Sequence, residues 1–142
     1  MSTSLVIDRV LPAPPEQVWT AFTTEEGLAG WWWTHLPNTT YAVDLRVGGE
    51  YRIDSPSAGI GVHGAYVAID APRSFTASWI WVDDGTDGPA ERIALTFAPD
   101  PAGTKLTITH DGPWTTSAPA DAYRIGWTDT IDALERELVR AG

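Results

Sequence analysis

Residues 118–140 read Ala118-Pro-Ala-Asp-Ala-Tyr-Arg-Ile-Gly-Trp-Thr-Asp-Thr-Ile-Asp-Ala-Leu-Glu-Arg-Glu-Leu-Val-Arg140. On a 3.6-residue period, Tyr123, Trp127, Thr130, Ile131, Leu134 and Leu138 fall on one stripe, while Arg124, Thr128, Asp132, Glu135 and Arg136 lie off it. Ser117 can cap the start. Pro119 sits in the first turn, where a missing N–H costs little. Asp121 lies near the positive end of the dipole, and Arg136 and Arg140 near the negative end. Asp132 and Arg136 are spaced as an i,i+4 ion pair. The stretch predicts a helix of about six turns. Its apolar stripe, with a Tyr and a Trp, is too wide to leave in water, so the residues before it must supply a covering layer.

A chain of 142 residues with 43% hydrophobic and 20% charged side chains is expected to be one globular domain, residues 1–142. Folding at this size buries roughly 68–70% of the unfolded surface. Nine basic against nineteen acidic residues give a net charge of −10. That balance argues against nucleic acid and against anionic membrane surfaces. There is no cysteine, hence no disulfide framework and no thiolate chemistry. The first residues have no basic n-region, and Asp8 and Arg9 break the apolar run that follows. No signal peptide or membrane span is read, and the expected location is cytoplasmic. Eight Trp are unusual for this length. Such rings either fill a large core or line a cavity.

Upstream of the helix, strands dominate. Leu5 to Leu11 reads as a strand ended by Pro12-Ala-Pro-Pro15. Two short helices follow. The first carries Val18, Trp19 and Phe22 inward, and the second runs from Glu25 to about Trp31 with Thr24 as its cap. Trp31-Trp32-Trp33 closes the pair, and three adjacent rings cannot all point one way. Tyr41 to Val47 and Glu50 to Asp54 flank Gly48-Gly49, read as a hairpin turn. Gly61 to Asp70 and Ser74 to Val82 are the next strands. Asp83 to Pro89 is expected to be a loop. Ala90 to Phe97 and Lys105 to His110 complete the set. Short turns between consecutive strands imply an antiparallel meander with one face free to bury the helix.

The two-residue period assigns faces. Leu106, Ile108 and His110 should face the helix. So should Ile93, Leu95 and Phe97, and Phe75, Ala77, Trp79 and Trp81. In the strand from Gly61, the set His63, Ala65, Val67 and Ile69 is placed inward, although the opposite set is also apolar. Tyr51 and Ile53 face in. The inner surface would then carry Tyr51, His63, Trp79, Trp81 and His110, opposite Tyr123 and Trp127, and at least one ring of the Trp31–Trp33 triplet should face an interior cavity or stay partly exposed. Small residues among these rings, Ala65, Ala77 and Gly126, point to either close packing or open space.

Chemistry is sparse. His63 and His110 are the weak candidates for acid/base work. Zinc needs three or four ligands and no third has suitable spacing, so neither metal nor cofactor is expected. Asp83 to Gly88 begins like a calcium loop but has Gly85 at its third position and Ala94 at its twelfth, so it reads as a solvated acidic turn. Arg46 either pairs with a neighbouring carboxylate or anchors a ligand's.

Several segments together resemble a known family. They are Ile7-Asp-Arg9 with Ala13-Pro-Pro-Glu-Gln-Val-Trp19, Trp31-Trp32, Asp44-Leu-Arg-Val-Gly-Gly-Glu-Tyr-Arg52, Gly64-Ala-Tyr66, Gly103-Thr-Lys-Leu-Thr107 and Gly126-Trp127. From about Leu5 to Leu138 the chain is similar to the START-like (SRPBCC) helix-grip superfamily, and within it to the activator-of-heat-shock-protein-90-ATPase-like branch. The resemblance implies an α+β fold: a seven-stranded antiparallel sheet gripping a long C-terminal helix, with two short helices after the first strand. It also implies a cavity open to hydrophobic small molecules. The superfamily includes lipid and polyketide binders, aromatase/cyclases and hormone receptors, so it does not imply one activity. The branch's name adds a chaperone partner and a stress-response setting, and a homodimer is also open. The function expected is binding of a hydrophobic, aromatic or polyketide-like molecule by Trp32, Tyr51, His63, Trp79, Trp81, His110, Tyr123 and Trp127. An enzyme acting on such a molecule and a chaperone-associated interaction module are the alternatives.

Overall fold

The computed structural model describes residues 3–141. The chain runs β1 (Thr3–Leu11), α1 (Pro15–Thr23), α2 (Glu25–Ala29), β2 (Thr40–Val43), β3 (Glu50–Ser55), β4 (Ile60–Asp70), β5 (Ser74–Asp83), β6 (Thr86–Asp100), β7 (Gly103–Gly112) and α3 (Ala118–Ala141). The seven strands form one antiparallel sheet in the order β1-β7-β6-β5-β4-β3-β2. Strands β2 to β7 are a meander. β1 joins its far edge by pairing with β7, with Thr3 opposite Gly112 and Leu11 opposite Thr104. One face of the sheet packs against α1, α2 and α3.

Two connections differ from the sequence reading. The expected loop at 83–89 is a tight hairpin at Asp84-Gly85. Both residues have positive φ, 51° and 77°, the backbone that a two-residue turn between right-twisted strands requires. Asp87 to Pro89 therefore belong to β6, which begins at Thr86. Conversely, Gly48-Gly49 is not a two-residue turn. β2 stops at Val43 and the connection spans 44–49, folded back on itself by Gly49 N–H to the Arg46 carbonyl and tied to β4 by Gly48 N–H to the Tyr66 carbonyl. Arg46 pairs with Asp44 at 2.9 Å on the exposed surface.

The core is aromatic at the end near the short helices. The α1 side chains Val18, Trp19 and Phe22 are buried as expected. Trp19 meets Phe75 and Phe97 edge-on, at centroid distances of 6.0 and 5.5 Å. Phe22 does the same to Trp31 at 4.7 Å. Such pairs add about 0.5–1.5 kcal/mol each beyond their buried area.

α3 buries Trp127, Ile131, Leu134 and Leu138, with Tyr123 packed at the margin of the core. Its expected internal pair does not form. Asp132 is taken by Arg9 of β1 at 2.9 Å, and Arg9 also reaches Glu135 at 3.2 Å. One guanidinium with two carboxylates therefore ties the first strand to the last helix.

The face of β4 is also reversed from the sequence reading. Val62, Gly64 and Tyr66 point inward, while His63 and Val67 point outward. Gly64 is the reason. A Cβ there would lie 2.0 Å from the Ser78 carbonyl and 2.8 Å from the Tyr51 ring, so the inward position must lack a side chain. A register shift between Tyr66 and Ala68 then changes the phase and packs Ile69 against the core. His63 is consequently excluded from the interior. Its Nε2 meets Asp87 at 3.2 Å on the outer side.

Candidate functional site

Between the sheet and the N-terminal half of α3 lies a pocket with about 360 Å³ of open space, accessible from one side. It is lined by Trp32, Trp33, Trp79, Trp81, Pro119, Ala122, Tyr123, Gly126, Trp127 and Thr130. Strand β5 delivers Trp79 and Trp81, two residues apart and on one face. α3 delivers Tyr123 and Trp127, four residues apart and on one stripe. The segment after α2 delivers Trp32 and Trp33. Pairwise contacts are mostly edge-to-face: Trp32 on Trp127 at 5.5 Å, Trp33 on Trp81 at 5.7 Å and Trp79 on Tyr123 at 6.0 Å.

Gly126 settles the choice left open by the sequence. A Cβ built there meets nothing within 4 Å. The glycine faces the pocket and is not a close-packing residue. Behind the pocket, a second void of about 30 Å³ is lined by Tyr51, Tyr66, Phe75 and their neighbours. Trp32, Trp79 and Trp127 line both spaces and form the wall between them.

The wall is locked from behind. The indole N–H of Trp127 donates to His110 Nδ1 at 3.0 Å. An indole nitrogen only donates, so Nδ1 is the accepting nitrogen and His110 is the neutral Nε2–H tautomer. That N–H donates to Glu91 Oε1 at 2.8 Å. Trp114 Nε1–H donates to the other oxygen, Oε2, at 3.0 Å. Glu91 thus accepts on both oxygens from neutral donors. Trp79 Nε1–H donates to the Tyr123 hydroxyl at 3.2 Å, and the Tyr123 ring lies 4.2 Å from His110. His110 and Glu91 are both buried, and neither reaches the pocket lining. With both ring nitrogens engaged, His110 has no free site for a transferred proton. Its work is to fix Trp127.

Two local penalties remain in the wall. Trp32 Nε1 is the only buried side-chain polar atom without a partner among the described residues. An unsatisfied donor of this kind costs about 1–3 kcal/mol. Trp33 beside it has φ of 53°, a left-handed conformation unusual for a bulky side chain. Both costs fall on adjacent residues that line the same pocket.

The residues proposed from sequence therefore separate. Trp32, Trp79, Trp81, Tyr123 and Trp127 meet at the pocket. Tyr51 lines the inner void, its hydroxyl bound to the Ser78 carbonyl at 2.7 Å. His110 stands behind the wall and His63 is outside it. Sequence reasoning missed Trp33 and the buried pair Glu91 and Trp114. Glu91 shares the parity of Ile93, Leu95 and Phe97, so the alternation already placed it inward.

Burial also perturbs the tyrosines. Tyr51 and Tyr123 are raised far above the ordinary range by desolvation, with nearby Glu91 adding to the effect at Tyr123. Tyr66 is pushed up to about 12 by burial and then by Asp44. Unfolded tyrosine ionises near pH ~10. Above that point the native state holds protons the unfolded state has released. Stability is therefore full below about pH 10 and falls as pH rises through about 12. Tyrosinate absorbance should grow only together with loss of the near-ultraviolet circular dichroism. Ionisation of all four tyrosines with that signal intact would contradict the burial argument.

The family profile described as Activator of Hsp90 ATPase homolog 1-like protein matches residues 12–139. The chain belongs to that family. Solved structures share the Hsp90-activator-homolog-like architecture at low identity. Protein MLL2253 from Mesorhizobium loti superposes with a TM-score of 0.82 at 21% identity, covering 99% of both chains. The homolog-like protein from Aeromonas hydrophila gives 0.74 at 23%, covering 99% of this chain and 94% of its own. DynU16, a protein of the dynemicin biosynthetic locus, gives 0.81 at 20%, covering 95% of this chain and 46% of its own. No curated protein matches the sequence. Among the described residues, no helix is long and apolar enough to cross a membrane. The helix-grip fold of the Hsp90-activator-homolog-like family is compatible with binding a small hydrophobic ligand, and the pocket lies between the sheet and the gripped helix.

Proposed function

We propose that this chain binds a planar, hydrophobic, aromatic or polyketide-like small molecule between β5 and α3. The observation that supports this most strongly is the pocket of about 360 Å³ walled by five Trp and one Tyr, with the exposed Gly126 leaving its helix side clear. A volume in this range suits a small polycyclic ligand. Flat rings against indole faces gain both burial and stacking. The similarity in fold to a protein from a biosynthetic locus is in keeping with such a ligand. The reading is of a binder. The pocket lining contains no carboxylate, imidazole or amine to carry a proton, and the only hydroxyls are those of Tyr123 and Thr130. The Thr130 hydroxyl donates to the Gly126 carbonyl at 2.7 Å.

Five indoles in one wall make intrinsic fluorescence the natural reporter. Titration with a panel of planar aromatic compounds should give saturable quenching or a spectral shift for some members. His63→Ala should leave the midpoint unchanged, because His63 lies on the outer side of the sheet. A flat response across the panel would sink the reading. A His63→Ala loss of affinity would show that the ligand sits elsewhere.

A further inference from the structure

The pocket's electrostatics are one-sided. Six aromatic rings line it, and the face of an aromatic ring is its negative side. No Lys, Arg or His lines it. Arg124, the basic residue of α3 next to Tyr123, is directed away to the Val6 carbonyl at 3.5 Å. Behind the wall lies Glu91, whose two oxygens accept from the neutral His110 and from Trp114, with the Tyr123 hydroxyl also close by. Among the described residues neither Lys nor Arg pairs with it. Beside the rim, Trp81 also borders a surface hollow formed with Asp83, Asp84 and Asp87, the last of which turns to the outer side of the sheet. The only basic contact of that group is His63, 3.2 Å from Asp87. The whole chain carries −10. Ring quadrupoles, a buried carboxylate, an acidic hollow beside the rim and the net charge therefore act with the same sign.

We propose that the pocket selects a cation: a quaternary ammonium or protonated amine carried on an apolar or aromatic body. The proposal rests on the reading of the pocket as a ligand site and specifies what that ligand must carry. A cation over indole faces is attracted by the ring quadrupole, and the attraction strengthens where water is excluded. Rings at several orientations, such as Trp33 and Trp81 at 87° and Trp79 and Tyr123 at 84°, can present more than one face to one ammonium group. Glu91 sits buried behind the wall, linked to Trp127 through His110, where screening by salt is weak. An anionic ligand meets every one of these features with the wrong sign.

The test uses a matched set on the intact protein: naphthyl-trimethylammonium, its uncharged carbon isostere tert-butylnaphthalene, and naphthalenesulfonate. Equilibrium dialysis gives the three affinities. Shape and ring system are common to the first two, and the hydrocarbon is the more hydrophobic. Burial alone therefore favours the hydrocarbon. The proposal expects the ammonium compound to bind about tenfold or more tightly than the hydrocarbon, and the sulfonate most weakly. Glu91→Gln removes the charge but sets an amide NH2 against a donor N–H of the network behind Trp127. Its readout is therefore the ratio of ammonium to hydrocarbon affinity, which should narrow whatever happens to the hydrocarbon affinity itself. Equal or tighter binding of the hydrocarbon by the unaltered protein overturns the cation proposal and leaves the aromatic-ligand reading standing. Binding of none of the three overturns both.

Discussion

Replacing His110 with alanine is expected to destabilise the fold by about 3–5 kcal/mol, the largest single-residue effect outside the apolar core. The imidazole joins an indole donor to a carboxylate acceptor, and all three groups are buried. Its removal leaves the Trp127 N–H without an acceptor and takes from Glu91 one of its two donors. It also leaves a ring-sized gap against Tyr123. A loss of this size lowers the melting temperature by roughly 10–15 °C in a chain of this length. Thermal and urea unfolding check the value. A double-mutant cycle with Trp127→Phe separates the hydrogen bond from the gap. The two changes should fall short of additivity, because Trp127→Phe removes the donor that His110→Ala would orphan. A loss under about 1 kcal/mol would show that water enters and replaces the ring.

The second large effect has the opposite balance. Gly126→Leu should abolish ligand binding while leaving the fold as stable as before, or more so. Glycine inside a helix costs about 0.8–1.0 kcal/mol relative to Ala, and Leu ranks close to Ala. The structure offers no compensating contact, because the space beside Gly126 is empty. A leucine side chain there would project into the pocket and deny it to a planar ring. Affinity in the fluorescence titration should fall by on the order of 100-fold, a change of about 2.7 kcal/mol. Retained affinity would mean that the ligand does not use this pocket. A destabilised Gly126→Leu protein would mean that the helix packs more tightly here than the structure shows.

The long helix was legible because its stripe runs unbroken from Tyr123 to Leu138. The meander was legible because its strands alternate and its turns are short. Trp79 and Trp81 could be placed together on β5 because a two-residue spacing fixes a shared face. Failures came where a local rule yields to a distant neighbour. His63 was placed inward because both faces of β4 are apolar. What decides the face is the Tyr51 ring lying over Gly64, a contact between strands that no single strand reveals. Asp132 was paired within its own helix, yet Arg9 reaches it from the first strand. Asp84-Gly85 carried an explicit turn signal that the acidic run around it obscured. Glu91 had the right parity, but a carboxylate on an inward position is discounted until its partners, Trp114 and His110, are seen beside it. Trp33 had no usable signal, since a left-handed backbone at a tryptophan is set by the rings packed on either side.

The edge position of β1 has a consequence for synthesis. Thr3 to Leu11 is synthesised before the rest of the sheet, but its only strand partner is β7, about a hundred residues later in the chain. Six strands can zip as successive neighbours while the leader waits. Closing so long a loop contributes the slow, non-local component of folding. Until then Leu5, Ile7 and Leu11, which are buried in the folded chain, lack their covering, and exposed apolar surface of that kind favours aggregation.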